Sequence, residues 1–293
     1  MGLLTFIAMP ATVRVAPSSN RDAVALGGST FQELRDQREL LWNLTLRELR
    51  SKYKRSALGW FWSLLNPLSS IIIYSVVFGR LFEMPAPIGN PSGLTSFTLW
   101  LTCGLLPWNF HATAIGAGTG SIVGNAGLVK KVYFPREYLV ASTVLSWLVS
   151  FLIEMTVLTV AFFFWGHVAV QWLPLVFLVA LVQTLFSFGL ALALSALNVF
   201  FRDIQHLIGI VLQVWFYLTP IVYAMDAQIP AAWRGIYKVN PMVHYVTVYR
   251  NLLFDGRLPG LQSCAFLAVS AVVSLGGGLL IFRRLEPRLV EEL

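Results

Sequence analysis

Residues 138–165 read YLVASTVLSWLVSFLIEMTVLTVAFFFW, and residues 172–199 read WLPLVFLVALVQTLFSFGLALALSALNV. Each run is longer than the roughly 20 residues a helix needs to cross a hydrocarbon core of about 30 Å. Hydrocarbon offers backbone N–H and C=O groups no partners, so a crossing chain must be helical or part of a closed barrel. Barrel strands alternate in polarity over about 10 residues. These runs are longer and apolar on every side, and Glu154 is the one charged residue in either. The sequence therefore predicts membrane-spanning helices.

Four further runs extend the pattern, at about residues 60–82, 97–118, 206–223 and 263–282, giving six spans in an all-α membrane protein. The Asn66–Pro67 pair is expected to kink the first near its inner end. Composition agrees: 57% of residues are hydrophobic and 12% charged, against about 25% charged in soluble domains, and the mean hydropathy is +0.70. In a soluble protein the net charge of +7 would favour nucleic acid. Here the positive residues sit at span boundaries, where they set orientation. Arg50, Lys52, Lys54, Arg55, Lys130, Lys131, Arg136, Arg202, Arg283, Arg284 and Arg288 place both termini in the cytoplasm. Arg234, Lys238, Arg250 and Arg257 on the outer side run against that bias. Residues 1–30 read as a flexible cytoplasmic tail, and residues 31–293 as the membrane domain.

Residues 34–53 alternate Leu34, Leu41, Leu44 and Leu49 with charged side chains. This pattern fits an amphipathic helix on the membrane surface, or one facing a soluble partner. Between the second and third spans, residues 124–131 can form a short helix that Pro135 ends. Leu128, Val129, Val132, Tyr133 and Phe134 make this basic segment more apolar than a solvated loop needs, which suits a docking element or a helix on lipid headgroups. In the next inner turn Asp203 is expected to cap the fifth span, with Arg202 pairing to it or to lipid phosphate. Asn240 followed by Pro241 marks a helix start in the long fifth–sixth connection. An earlier short helix is expected over residues 231–237. Arg234, Lys238 and Arg250 there are candidates for touching phosphate or acidic sugars, or headgroups alone.

The sequence has no G-x-x-x-x-G-K-[ST], H-E-x-x-H, G-x-S-x-G or C-x-x-C motif, so ATP binding through a P-loop is excluded. His111, His167, His206 and His244 are scattered, each read as structural or interfacial. Glu154 is read as a buried carboxyl bonded to Gln183 or Gln213, or as a proton carrier. A disulfide between Cys103 and Cys264 is geometrically conceivable. Trp60, Trp62, Trp108, Trp165 and Trp172 are expected at headgroup level. Tyr74 and Phe78 on the first span, with Trp215, Phe216, Tyr217 and Tyr223 on the fifth, suit either an aromatic path that stacks on sugar rings or ordinary bundle packing.

The order of these features carries a resemblance. SALGWFWSLLNPL (56–68), LVKKVYFPRE (128–137), NVFFRDI (198–204) and the outer NPM…YR segment (240–250) lie in six spans behind a basic amphipathic helix. The chain resembles the ABC-2 type permeases of polysaccharide export, which include O-antigen, teichoic acid, capsule and galactan exporters. The resemblance implies an inner-membrane homodimer with two separate ATPase subunits that bind ATP and magnesium, and no cofactor in this chain. Its cargo would be a glycan on a polyprenyl diphosphate lipid. Gly124, Leu128, Val129, Lys130, Lys131, Phe134 and Pro135 would couple to the ATPase. Asn240, Pro241, Tyr249 and Arg250 would shape the exit. Beyond the resemblance, Lys52, Lys54 and Arg55 at the inner mouth are candidates for attracting the diphosphate, or serve membrane orientation alone. A permease for drugs or small lipids shares the plan. A membrane-embedded glycosyl- or acyltransferase would need a cluster of catalytic acids or histidines that the sequence lacks.

Overall fold

Helices make up most of the described backbone in the computed structural model, which describes residues 29–52, 61–83, 87–132, 134–164, 166–167, 169–225 and 229–293. No strand occurs among them. The chain divides into Met1–Leu40, whose described part is the first half of one helix, and Leu41–Leu293. The elements are α1 (Ser29–Lys52), α2 (Trp62–Tyr74) with a π-helical extension Ser75–Leu81, α3 (Phe97–Gly124), α4 (Ala126–Val129), α5 (Glu137–Phe164), α6 (Leu173–Phe200) and α7 (Ile204–Tyr217). They continue as α8 (Ala231–Tyr237), α9 (Pro241–Tyr249) with a π-helical extension Arg250–Asp255, α10 (Leu261–Leu285) and α11 (Leu289–Glu292).

Among the described residues, three helical stretches are long and apolar enough to cross a membrane: Glu137–Phe164, Val170–Phe200 and Leu261–Arg288. The apolar parts of the first and fifth expected spans are shorter, Ile71–Leu81 and Ile204–Tyr217. α3 is different. It has 28 residues, about 42 Å of helix, but its second half is rich in Gly, Ser and Thr. That composition is tolerable because α3 packs against α5, α6, α7 and α9. Its neighbours are protein, so Ala114, Ile115, Gly118, Thr119 and Ile122 are all buried.

Threonine hydroxyl groups enter this core without stranding a donor among the described residues. Thr102, Thr119, Thr143, Thr159 and Thr184 each donate to the carbonyl four residues back, at 2.6–2.9 Å. Such bonds close within one helix and need no water.

Local sequence sets several boundaries. The Ser96 side chain accepts from Leu99 N at the start of α3. Pro174 stands in the first turn of α6. Gly256, with φ of 72°, ends the segment after α9 in a left-handed conformation. The fifth run stops at Tyr217 rather than at residue 223, because Pro220 cannot continue a helix. Cys103 is buried and Cys264 exposed, and both are free thiols.

The closest helix crossing joins α6 to α10. A Cβ on Gly278 would fall on the Gly189 carbonyl, and one on Gly189 would fall on the Ser274 backbone. Ser274 Oγ adds a 2.7 Å bond to the Phe186 carbonyl. Gly276 and Gly277, two residues and one residue earlier along α10, meet nothing within 4 Å. Gly278→Ala should therefore lose about 1–3 kcal/mol to overpacking, read as a lower unfolding temperature in detergent. Gly276→Ala and Gly277→Ala should leave it unchanged or slightly raised. Equal effects at the three positions would refute this crossing.

Candidate functional site

The connection between α3 and α5 is built on the end of α3. Asn125 leaves helical geometry, with φ of −111° and ψ of 22°. Its carbonyl then accepts from Leu128 N and Val129 N, closing the single turn of α4. The helix expected over residues 124–131 is thus only Ala126–Val129, because Gly124 and Gly127 give the segment little helical drive. Val129 is buried and anchors the turn; Leu128 is half-buried, and Lys130, Lys131 and Val132 are exposed. Phe134 and Pro135 are half-buried. Two links tie this segment to distant chain. Arg47 on α1 donates to Asn125 Oδ1 at 2.8 Å. Arg136 donates to the Glu286 carbonyl at 2.8 Å, with the Glu286 carboxylate 4.0 Å away.

α1 turns Leu44, Thr45 and Leu49 inward and leaves Trp42, Arg47 and Arg50 exposed, the amphipathic division that the sequence predicts. Lys52 ends this helix with its ammonium 3.5 Å above the Trp147 ring. Burial lowers its pKa to about 7, against the pull of Glu48 and then Glu154. The unfolded chain holds that proton more tightly. The penalty for burying the amine is therefore full below about pH 7 and is relieved as pH rises from there toward 10.5. Lys54 and Arg55, expected beside Lys52, lie outside the described residues.

Glu154 lines an apolar cavity of about 170 Å³ with Thr98, Thr102, Leu68 and Ile71. The expected bond to Gln183 does not form. Gln183 Nε2 instead donates to the Pro107 carbonyl at 2.8 Å, and Gln213 is exposed.

Five of the six expected aromatics share one cluster. Tyr74 stacks on Phe78 at 6.0 Å and on Phe216 at 6.3 Å, and Phe216 meets Tyr217 edge-on at 5.2 Å. Trp108 packs against both Phe216 at 5.7 Å and Trp215 at 6.1 Å. Tyr223 touches the group through its hydroxyl, which donates to the Tyr217 carbonyl at 2.7 Å. The cluster continues inward through His111, Phe186 and Tyr245, three residues that sequence reasoning did not place there. His111 stacks on Phe186 at 5.2 Å and meets Trp215 at 5.1 Å. Its Nδ1 shares a 2.8 Å hydrogen bond with Ser187 Oγ, which makes it structural. Trp108 is a correction: it is 5% exposed, in the middle of α3 rather than at headgroup level. The helix continues 16 residues beyond it to Gly124.

The segment around α9 turns on Asn240 and Arg250. Asn240 Oδ1 accepts from Met242 N at 3.0 Å and from Trp215 Nε1 at 2.8 Å, so the predicted cap of the Pro241 helix forms. Its Nδ2 donates to the Leu218 carbonyl and to Thr219 Oγ1. Arg250 donates to the Pro220 and Ile221 carbonyls at 2.8 and 2.7 Å. Its guanidinium lies 3.6 Å over the Trp100 ring. Arg250 is therefore a staple for the carbonyls that the break after α7 leaves open, not an exposed contact for phosphate or sugar. Tyr249 is buried edge-on to Phe151.

The inner turn is also corrected. Asp203 makes no side-chain cap, because its backbone is already helical. Asn198, from the end of α6, accepts from Gln205 N at 3.1 Å in its place. Arg202 and Asp203 are both exposed.

A family model described as "ABC-2 type transporter" matches residues 39–254. The O-antigen export system permease protein RfbA of Myxococcus xanthus is 31% identical over 263 residues, covering 89% of this chain and 98% of that protein. A protein of the same name from Klebsiella pneumoniae is 32% identical over 254 residues, covering 86% and 94%. The polysialic acid transport protein KpsM of Escherichia coli is 24% identical over 249 residues, covering 84% and 93%. The family model spans most of the chain, and the relatives align nearly end to end: this chain belongs to the ABC-2 type transporter family.

Proposed function

We propose that this chain is the membrane permease of an ATP-driven exporter that moves a polysaccharide, carried on a polyprenyl diphosphate lipid, out of the cytoplasm. Two copies would pair around the translocation path in the plasma membrane, each with six spans and both termini inside. Two separate ATPase subunits would supply the work. α3, together with the shorter helices α2 and α7, would complete the six spans beside α5, α6 and α10. The observation that carries the reading is the aromatic cluster from Tyr74 and Phe78 through Phe216, Tyr217 and Trp108. It joins the first and fifth helices in a chain matched along most of its length by O-antigen permeases. Aromatic faces accept the C–H faces of sugars without demanding one particular sugar, which suits a repeating polymer.

The mechanism follows from where the links lie. ATP binding would close the motor subunits against residues 124–135, with Lys130, Lys131 and Val132 as the exposed contact. The Arg47–Asn125 bond would carry the same movement to α1. Lys52 at the inner mouth would draw in the carrier's diphosphate. The first and fifth helices would separate to open the aromatic path, and the Asn240 and Arg250 network would hold the exit in shape.

Depletion of the protein in its native cell should cause a long lipid-linked glycan to accumulate on the cytoplasmic side, which chemical extraction would identify. An unchanged lipid-linked pool, with an ATPase still co-purifying, would mean that the cargo is of another class. Leu128→Glu should lower permease-stimulated ATPase activity about ten-fold, equivalent to roughly 1.4 kcal/mol of docking, with membrane insertion intact. Normal stimulation would remove the docking role of this turn. Tyr217 is 62% exposed, so Tyr217→Ala should keep stability and ATPase activity while slowing polymer export several-fold. Wild-type export rates would argue against an aromatic path.

A further inference from the structure

The proposed transport cycle gives the cavity beside Glu154 no role. Its walls follow from helical spacing. Glu154, Val157, Leu158 and Ala161 stand at i, i+3, i+4 and i+7 on one face of α5. Leu68 and Ile71 lie one turn apart on α2, and Thr98 and Thr102 one turn apart on α3. The volume of about 170 Å³ slightly exceeds the roughly 150 Å³ of an apolar cavity that takes up benzene.

The lining holds one ionisable group, and the nearby donors are engaged elsewhere. Thr102 Oγ1 commits its proton to the Thr98 carbonyl at 2.6 Å. Gln183 donates to the Pro107 carbonyl. The Lys52 ammonium sits over Trp147, two turns nearer the start of α5, and acts on Glu154 through its field without a hydrogen bond. None of these three supplies a donor to the Glu154 carboxyl. A carboxyl within a membrane span is costly unless a partner compensates it.

Access is from the side. Glu154 is half-buried rather than sealed. Leu68 is 39% exposed and Val157 41%, so the mouth opens between α2 and α5. Glu154 lies about 26 Å of helix from the start of α5 and about 15 Å from its end. In a membrane-spanning helix, that depth meets hydrocarbon and not water. An occupant that fits dissolves in lipid, has a benzene-sized body and brings the donors and the positive charge that the walls lack.

We infer that the Glu154 cavity is a binding site for a lipophilic amine, whose nitrogen pairs with the carboxyl while its hydrocarbon body fills the space between α2, α3 and α5. An amine meeting the carboxylic acid and an ammonium meeting the carboxylate give the same ion pair. In apolar surroundings that pair outweighs the single hydrogen bond of a hydroxyl, so an alcohol of the same shape binds more weakly. An occupant tethers α2 to α3 and α5. That the tether slows a transport cycle rests on the export reading above; the site itself does not.

The full-length protein in maltoside micelles is photolysed with a benzylamine that carries an aryl diazirine at the far end of its ring, and labelled peptides are mapped by mass spectrometry. Labelling of the α2 segment with Leu68 and Ile71, or of the α5 segment from Val157 to Ala161, is the expected result. Excess benzylamine should remove it, and equal concentrations of benzyl alcohol or toluene should not. Glu154→Gln keeps the shape and removes the charge, and Ala161→Leu fills the cavity with the carboxyl in place. Each should lower the labelling about ten-fold. Labelling only at other segments, labelling that benzyl alcohol or toluene removes as well as benzylamine does, or labelling unchanged in both folded variants would overturn the site. Should neither variant fold, the competition on the wild-type protein decides by itself. No arm measures export, so these outcomes stand apart from the depletion experiment.

Discussion

Hydrocarbon satisfies no hydrogen bond, and the structure follows from how this chain meets that constraint. Where a helix must face lipid, as in α5, α6 and α10, the side chains are apolar and polar groups are few. Where threonine hydroxyls enter, they bond to a carbonyl within their own helix. Where the helix itself breaks, at Thr219–Pro220–Ile221, the open carbonyls are met by Arg250 and those just before them by Asn240. The break and the staple imply each other. Without Pro220 there would be no open carbonyls, and without them a buried guanidinium in that position would be destabilising.

The same constraint explains which features were legible in the sequence. Apolar runs at 138–165, 172–199 and 263–282 announce themselves because lipid selects on composition alone. Asn240–Pro241 was equally legible, since a cap and a first-turn proline are local chemistry. The end of α3 was not. Its Gly-, Ser- and Thr-rich residues look like an approach to a loop, yet they continue a helix whose neighbours are protein. Trp108 was misplaced independently of that end: it lies in the middle of the expected 97–118 run as well as of α3, and only its residue type suggested headgroup level. The fifth run was overread for the opposite reason: the residues beyond Tyr217 stay apolar after the helix has stopped. The cap of α7 was illegible because Asn198 reaches it from the preceding helix, seven residues before Gln205.

Aromatic residues show how far pattern reading extends. The sequence named Tyr74, Phe78, Trp215, Phe216 and Tyr217 by their density on two helices, and they do converge. It did not join His111, Phe186 or Tyr245 to them, because these come from three other helices and share no local spacing. The cluster therefore has two parts with different physics. The inner part, around His111 and Phe186, is fully packed and fixes helix positions. The outer part, ending at exposed Tyr217, has unpartnered ring faces.

The links around α4 favour transmission over local adjustment. A one-turn helix has little stability of its own, so a force applied there would normally dissipate by unwinding it. Here Val129 is buried beneath it, and Asn125 closes it from one side while accepting a bond from Arg47. On the other side Arg136 ties the start of α5 to the end of α10. A push on this turn therefore reaches α1 and α10 through single hydrogen bonds and reaches α3 through continuous backbone.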